Sequence, residues 1–257
     1  LAESVEGLVN SLDAGRRISM GEDNSLNFLR FTREADRLVD PRSVQVALDV
    51  GSRDGEIALR LRQHYPNARV FAFECNPPAV ELCRQSIQGQ EGITLVDRAV
   101  SDVSGPLDFF AIDPEKTVTP HADGNIGASS LYEASADYPY EKYVQRKVSV
   151  ESITLAAWAK ENGLAAIDVI WMDLQGGELR ALQGLGDLIQ TVRIIYTEVE
   201  YKPIYRGQPL AAEVRAFLQR QGFSLAATCN AAEWSGDELY CRNQLLSWWK
   251  RLRRGAR

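Results

Sequence analysis

Three acidic residues each close an apolar run and stand just before a turn. They are Asp49 in Leu48-Asp49-Val50-Gly51-Ser52-Arg53-Asp54-Gly55, Glu74 after Phe71-Ala72-Phe73, and Asp173 in Trp171-Met172-Asp173-Leu174-Gln175-Gly176-Gly177-Glu178. Gly51 permits a backbone conformation closed to other residues, and Gly55 lets a ligand or a helix come close. Dinucleotide-binding turns use glycines in this way to seat a pyrophosphate on a helix end. Here Arg53 stands where the middle glycine would be, and Asp49 adds a negative charge that repels a diphosphate and suits a cationic or amino-bearing ligand. Glu74 follows the glycine turn by about twenty residues, the separation at which an α/β nucleotide fold places a carboxylate on ribose hydroxyls. Asp173 ends the run IDVIWM, where a charge is costly unless paired or wet. A plain helix cap is the other reading of Asp173.

The elements that must carry these acids alternate. The runs 44–51, 68–74, 93–97, 166–174 and 192–200 are apolar and β-branched, as suits strands covered on both faces. Between them, 54–65 repeats Ile57, Leu61 and Tyr65 one helical turn apart, and helices are expected at 77–88, 154–162 and 177–189. Pro209 opens a helix with Leu210, Val214, Phe217 and Leu218 on one face. Further strands are expected at LDFF (107–110) and VQRKVSVES (144–152), and FSLAAT with DELYCRN makes a closing hairpin. Before the first strand, Ser25 to Val39 places Leu26, Leu29, Ala35 and Leu38 near helical spacing.

This pattern predicts an α/β, doubly wound, mainly parallel sheet with a closing antiparallel hairpin and an N-terminal helical extension. The expected divisions are an extension over 1–40, one domain over 41–243 and a basic tail over 244–257. Ligands of such sheets bind beyond the carboxyl ends of the strands, where the strand order switches.

The 257 residues are 45% hydrophobic and 25% charged, inside the globular range and against a disordered or disulfide-dense chain. The net charge is −6, although the end WWKRLRRGAR carries Lys250, Arg251, Arg253, Arg254 and Arg257. An acidic body gives no reason to expect nucleic acid as a partner. The basic end at 248–257 is a candidate for weak contact with anionic lipid or a partner. Cys75, Cys83, Cys229 and Cys241 form no CxxC pair, which excludes a structural zinc site and reads as free thiols in a reducing, cytoplasmic compartment. No run of about 18 apolar residues and no export signal is present. The start at Leu1 suggests a removed upstream piece.

The stretches LDVGSRDG (48–55), FAFECNP (71–77), RAVSDVSG (98–105), IDVIWMDLQGGEL (167–179) and YTEVE (196–200) together resemble the FkbM-type S-adenosylmethionine-dependent methyltransferases. They cover residues 44–200 in order. The resemblance implies a class I methyltransferase fold and methyl transfer to a hydroxyl of a sugar, glycan or secondary metabolite. Carried over, Asp49, Gly51, Ser52, Arg53 and Gly55 would hold the methionine part of the cofactor. Glu74, with Cys75 and Asn76 beside it, would take the ribose, and Asp97, Ala99 and Val100 would flank the adenine. Asp173 would lie by the sulfonium and the acceptor. The chain departs from the family where Cys75 replaces proline, Trp171 replaces lysine and Ser52-Arg53 replace Ala-Asn.

An alcohol attacks well only as its proton leaves, which calls for a positioned base or a metal. Asp173 is the favoured base, with His121 and Glu198 as rivals. Asp173, Glu178, Glu198 and Glu200 are alternatively carboxylate ligands for a divalent ion. The polar stretch 112–142, rich in acids and carrying Tyr132, Tyr138 and Tyr140, is expected to be a lid over a small-molecule or glycan acceptor. Two other functions stay open: a non-catalytic relative that binds a partner, and a nicotinamide oxidoreductase, which lacks its GxGxxG here.

Overall fold

The apolar run at 44–50 forms β1 (Val46–Val50), every residue of it buried, because helices cover both faces of the sheet. The computed structural model describes residues 20–247, so the basic stretch at 248–257 lies outside the described residues. Strands β2 (Arg69–Glu74) and β3 (Ile93–Asp97) follow, then β4 (Ala99–Val100), β5 (Gly105–Ile112), β6 (Gln145–Ile153), β7 (Val169–Met172), β8 (Ile194–Glu200), β9 (Phe223–Ala231) and β10 (Ser235–Arg242). The helices are α1 (Met20–Ala35), α2 (Glu56–His64), α3 (Pro77–Ser86), α4 (Leu155–Glu161), α5 (Glu178–Gln183) and α6 (Ala211–Arg220).

Seven strands form one sheet in the order β3-β2-β1-β7-β8-β10-β9. The first five are parallel neighbours, and β10 enters antiparallel between β8 and β9. The order reverses between β1 and β7, so a crevice opens there above the strand ends. Period-two alternation sends Leu48, Val50, Ile170, Met172 and Ile195 to one core. Ala47, Val169, Trp171, Ile194 and Tyr196 go to the other.

Helix α1 packs on that second core through Phe28, Phe31 and Ala35. Leu29, counted on the apolar face from spacing alone, is 55% exposed. The stripe is aromatic: Trp171 stacks on Tyr196 with ring centroids 4.1 Å apart, and Phe31 meets both edge-on.

Two further expectations change. The helix expected over 177–189 ends at Gln183, and Gly186–Thr191 continues as a 3-10 turn. At Gly184 the chain runs so close to its neighbour that a Cβ would come 2.2 Å from the Ser101 carbonyl oxygen. Strands β4, β6 and β5 leave the central sheet and make a second one. Within it β5 and β6 pair antiparallel from Gly105 with Ser152 to Ile112 with Gln145, over a small cluster of Ala99, Phe109, Ala111 and Val150.

Candidate active site

The turn after β1 is fixed by two neighbours. Gly51 and Ser52 donate their N–H groups to the Phe73 carbonyl at 3.0 and 2.8 Å, which holds the turn against β2. Gly51 has φ +89°, and a Cβ there would sit 1.8 Å from the Asp173 carbonyl oxygen. Glycine is therefore demanded by the close approach of the β7 end, which brings the first and third acidic segments together. Gly55, at φ +81°, packs against Cys83 and Ile87 of the α3 segment, so its work is helix packing. Arg53 takes φ +52° without being glycine, and its guanidinium pairs with Asp123 of the long loop.

Asp49 lies beneath this turn, 1% exposed, and accepts a hydrogen bond from Ser52 Oγ at 2.6 Å. Burial pushes its carboxyl up to about 7. It supports the turn from below and does not line the cavity above it.

Glu74 links two turns. Its Oε2 accepts from Arg53 N at 2.8 Å, and its Oε1 accepts from Cys75 N and Asn76 N, each at 2.8 Å. Burial raises its proton affinity, while these three backbone donors oppose the rise. Two carboxylate oxygens offer about four acceptor positions, so one remains for a ligand. Asn76 donates from Nδ2 to Ser129 Oγ at 3.1 Å. Its buried Oδ1 has no hydrogen-bond partner among the described residues.

At the ends of β7 and β8, Asp173 and Glu198 stand side by side. Gln175 Nε2 donates to Asp173 Oδ1 at 2.7 Å and to Glu198 Oε2 at 2.8 Å. Gln175 is pinned in turn by Tyr205 OH, 2.9 Å from its Oε1, and by Ser130 Oγ, which donates to its backbone carbonyl at 2.7 Å. Burial, then the charges of Asp173 and Glu200, push the Glu198 carboxyl well above the carboxylate range. Asp173 is also raised, by burial against the hydrogen bond from Gln175. Its side chain opens to the cavity, and of the two carboxyls Glu198 is the more strongly raised.

A cavity of about 290 Å³ lies over the switch between β1 and β7. Gly51, Ser52, Arg53, Glu74, Cys75, Asn76, Ala99, Val100, Asp173 and Glu198 all line it. Asp49, Gly55, Asp97 and His121 do not. Asp97 faces outward near Arg84, 3.7 Å away. His121 sits in the outer turn of the loop, its carbonyl accepting from Gly124 N. Of the four acids weighed as metal ligands, Glu178 turns back to accept from Leu174 N at 2.7 Å, and Glu200 stays outside the lining. Among the described residues no three His, Cys, Asp or Glu side chains are grouped to hold a metal ion.

The stretch 113–140 is ordered against the body. It bridges Ala134 to Tyr205 and Phe110 to Ser130, and places Asn125 to Ser129, Leu131 and Tyr138 on the cavity wall. Several lining residues carry no sequence signal: Asn27 of α1, Ile204, and Ser235 and Asp237 of β10. Gln175 left one trace, its place before a glycine pair, which fits its positive φ of +53°.

A doubly wound sheet closed by an antiparallel hairpin, with a glycine turn after β1 and a carboxylate closing β2, is the class I, Rossmann-like methyltransferase fold. The family model described as the methyltransferase FkbM domain matches residues 49–225, and the chain belongs to that family. It is an S-adenosylmethionine-dependent methyltransferase. The chain is 31% identical over 219 residues to 2-O-methyltransferase NoeI of Sinorhizobium fredii (strain NBRC 101917 / NGR234), covering 80% of this chain and 85% of the relative. It is 24% identical over 207 residues to methyltransferase sdnD of Sordaria araneosa, covering 74% and 77%. Among solved structures it is similar to a precorrin-6y C5,15-methyltransferase from Geobacter metallireducens GS-15, at TM-score 0.45 and 13% identity over 84% of this chain and 88% of that one. No helix among the described residues is long and apolar enough to cross a membrane.

Proposed function

We propose that this chain transfers a methyl group to a hydroxyl oxygen of a sugar, glycan or secondary-metabolite acceptor, with Asp173 receiving the hydroxyl proton. The observation that carries this reading is the Asp173–Gln175–Glu198 arrangement in the wall of the cavity. The kinship to a 2-O-methyltransferase supports oxygen as the accepting atom.

S-adenosylmethionine supplies an electrophilic methyl on a sulfonium. The residues present fit that molecule: Glu74 has acceptor capacity left for ribose hydroxyls, and the orphaned Asn76 Oδ1 offers a further buried acceptor. Ala99 and Val100 give an apolar wall suited to adenine. Gly51 and Ser52 of the turn after β1 line the cavity and would hold the methionine end.

The protein's share of the chemistry is placement and one proton. In-line displacement requires the acceptor oxygen, carbon and sulfur to be collinear at near-attack distance, which fixed walls provide. Asp173 is the open carboxylate of the pair, so it can accept a proton from an entering hydroxyl, while Glu198 beside it is kept neutral by its surroundings. The loop 112–142, tied to the glycine turn through Arg53 and Asp123, acts as the lid that excludes water.

Calorimetric titration with S-adenosylhomocysteine, paired with methyl transfer from labelled S-adenosylmethionine to a panel of hydroxylated acceptors, tests the reading. Micromolar binding with transfer to a hydroxyl is expected. A folded protein that binds no S-adenosylhomocysteine would overturn it.

A further inference from the structure

Strand β8 runs on past Glu198, and its last residue, Glu200, pairs with Ser235 at the start of β10. Trp234 precedes Ser235, and its carbonyl accepts from Tyr201 N at 2.7 Å. Trp234 therefore stands beyond the strand ends, on the side of the cavity that holds Asp173 and Glu198. The long loop brings Tyr138 to the same place. Its ring lies 5.5 Å from Trp234, 5.7 Å from Tyr140 and 5.8 Å from Tyr143. Tyr138, Tyr143 and Ser235 line the cavity, and Tyr140 and Trp234 do not. An aromatic surface thus leads out of the cavity through Tyr138 to Tyr140, which is 62% exposed.

Two charged side chains frame this surface. Lys202 Nζ lies 5.1 Å from the centre of the Trp234 ring and pairs with Glu233. Tyr140 OH donates to Glu233 Oε2 at 3.4 Å. Both charged groups are exposed, and together they are neutral. Contiguous exposed aromatic rings mark a place of contact. A pyranose matches such a place, because its C–H face is apolar and its hydroxyls run around the edge. The face can lie on Tyr140 while hydroxyls donate to Glu233 and accept from Lys202. An acyl chain or a flat aromatic group would cover those two charges without offering them a partner, which is costly.

The size of the cavity leads to the same occupant. Its volume of about 290 Å³ stands at the lower end of the range of about 300–1,000 Å³ in which one small ligand is held. With the cofactor inside, an acceptor can insert little beyond the unit that bears the reacting hydroxyl, and its remainder lies at the mouth. We propose that Tyr138, Tyr140 and Trp234, framed by Lys202 and Glu233, form an outer subsite for a neutral sugar unit next to the one that is methylated, so that the acceptor is a disaccharide or a longer glycan. This rests on the methyltransferase reading of the cavity and narrows its acceptor class.

The test probes an array of neutral mono-, di- and trisaccharides with the full chain loaded with S-adenosylhomocysteine, whose own titration is read first. The disaccharide retained best is then titrated beside two glycosides of the sugar unit it places in the cavity, the methyl and the octyl glycoside. The disaccharide is expected to bind at least about tenfold more tightly than either glycoside, a difference of about 1.4 kcal/mol. Tyr140→Ala is expected to weaken the disaccharide at least about fivefold through the lost ring face, and Glu233→Ala at least about threefold through the lost acceptor. Both variants should bind S-adenosylhomocysteine as the parent does, which checks their folding. No saccharide retained, a methyl glycoside that binds as well as the disaccharide, an octyl glycoside that matches it, or unchanged disaccharide affinity in either folded variant would overturn the proposal. Failure of S-adenosylhomocysteine itself to bind the parent would instead overturn the reading beneath it.

Discussion

Asp173 and Glu198, twenty-five residues apart in the chain, accept hydrogen bonds from one and the same amide nitrogen, Gln175 Nε2, at 2.7 and 2.8 Å. Two carboxylates this close cannot both stay charged at low cost, so the pair divides into a carboxylate and a carboxylic acid. Tyr205 and Ser130 hold Gln175 in place between the two, and on the proposed mechanism Asp173 is the member that accepts the proton.

Asp173→Asn keeps the shape and removes the proton acceptor. Turnover should fall by about a hundredfold or more, with S-adenosylhomocysteine affinity changed less than about threefold. Single-turnover assays beside calorimetry separate the two, and unchanged turnover removes Asp173 from the chemistry.

Glu74→Gln replaces one acceptor oxygen with a donor among three backbone N–H groups from Arg53, Cys75 and Asn76. An unmatched donor at a buried site costs about 1–3 kcal/mol. Cofactor affinity should drop by about ten- to a hundredfold, and the melting temperature should fall as the two turns loosen. Affinity within twofold of the parent would show that Glu74 is only a structural clasp.

Stability should fall as pH rises from about 4 to 8. Asp49 and Glu178 titrate near 7 and 8 in the folded chain, above the ordinary values near 4 of an unfolded one. Below pH 4 both states hold these protons; above it the unfolded state releases them first, and stability is lost until the folded groups ionise. Asp49→Asn, which can still accept from Ser52 Oγ, should flatten this slope by about 1–3 kcal/mol between pH 5 and pH 8. Denaturant titrations at the two pH values report it, and parallel slopes in parent and variant would rule the assignment out.

Arg53→Ala removes the ion pair to Asp123 and the side chain against which Gly127 packs. Limited proteolysis within 112–142 should quicken several-fold, and S-adenosylhomocysteine should protect the variant less than the parent. Identical cleavage in both would detach the loop from the glycine turn.

The parallel strands were readable because a strand buried on both faces must be largely apolar, and 44–51, 68–74, 166–174 and 192–200 each carry such an apolar stretch. The glycine turn, Glu74 and Asp173 were readable because each interrupts such a run with a residue that burial alone would reject. Leu29 misled because spacing locates a helical face only to within a residue, and Phe28 and Phe31, which have aromatic partners on β7 and β8, took the core.

The sequence by itself determined the alternation of elements, the ends of the central strands and the three acids that stand there. Tertiary structure decided which residues join them. Asp237 meets Glu198 only through the antiparallel pairing of β10 with β8. Tyr138 and Tyr143 reach the cavity only because the long loop folds back over the strand ends, and β5 with β6 leaves the main sheet to pair with itself. Local pattern reports which face a residue presents, because side-chain period is a property of a few neighbouring dihedrals. Which distant residue shares that face depends on strand order and loop closure, and these are settled by the packing of the whole chain.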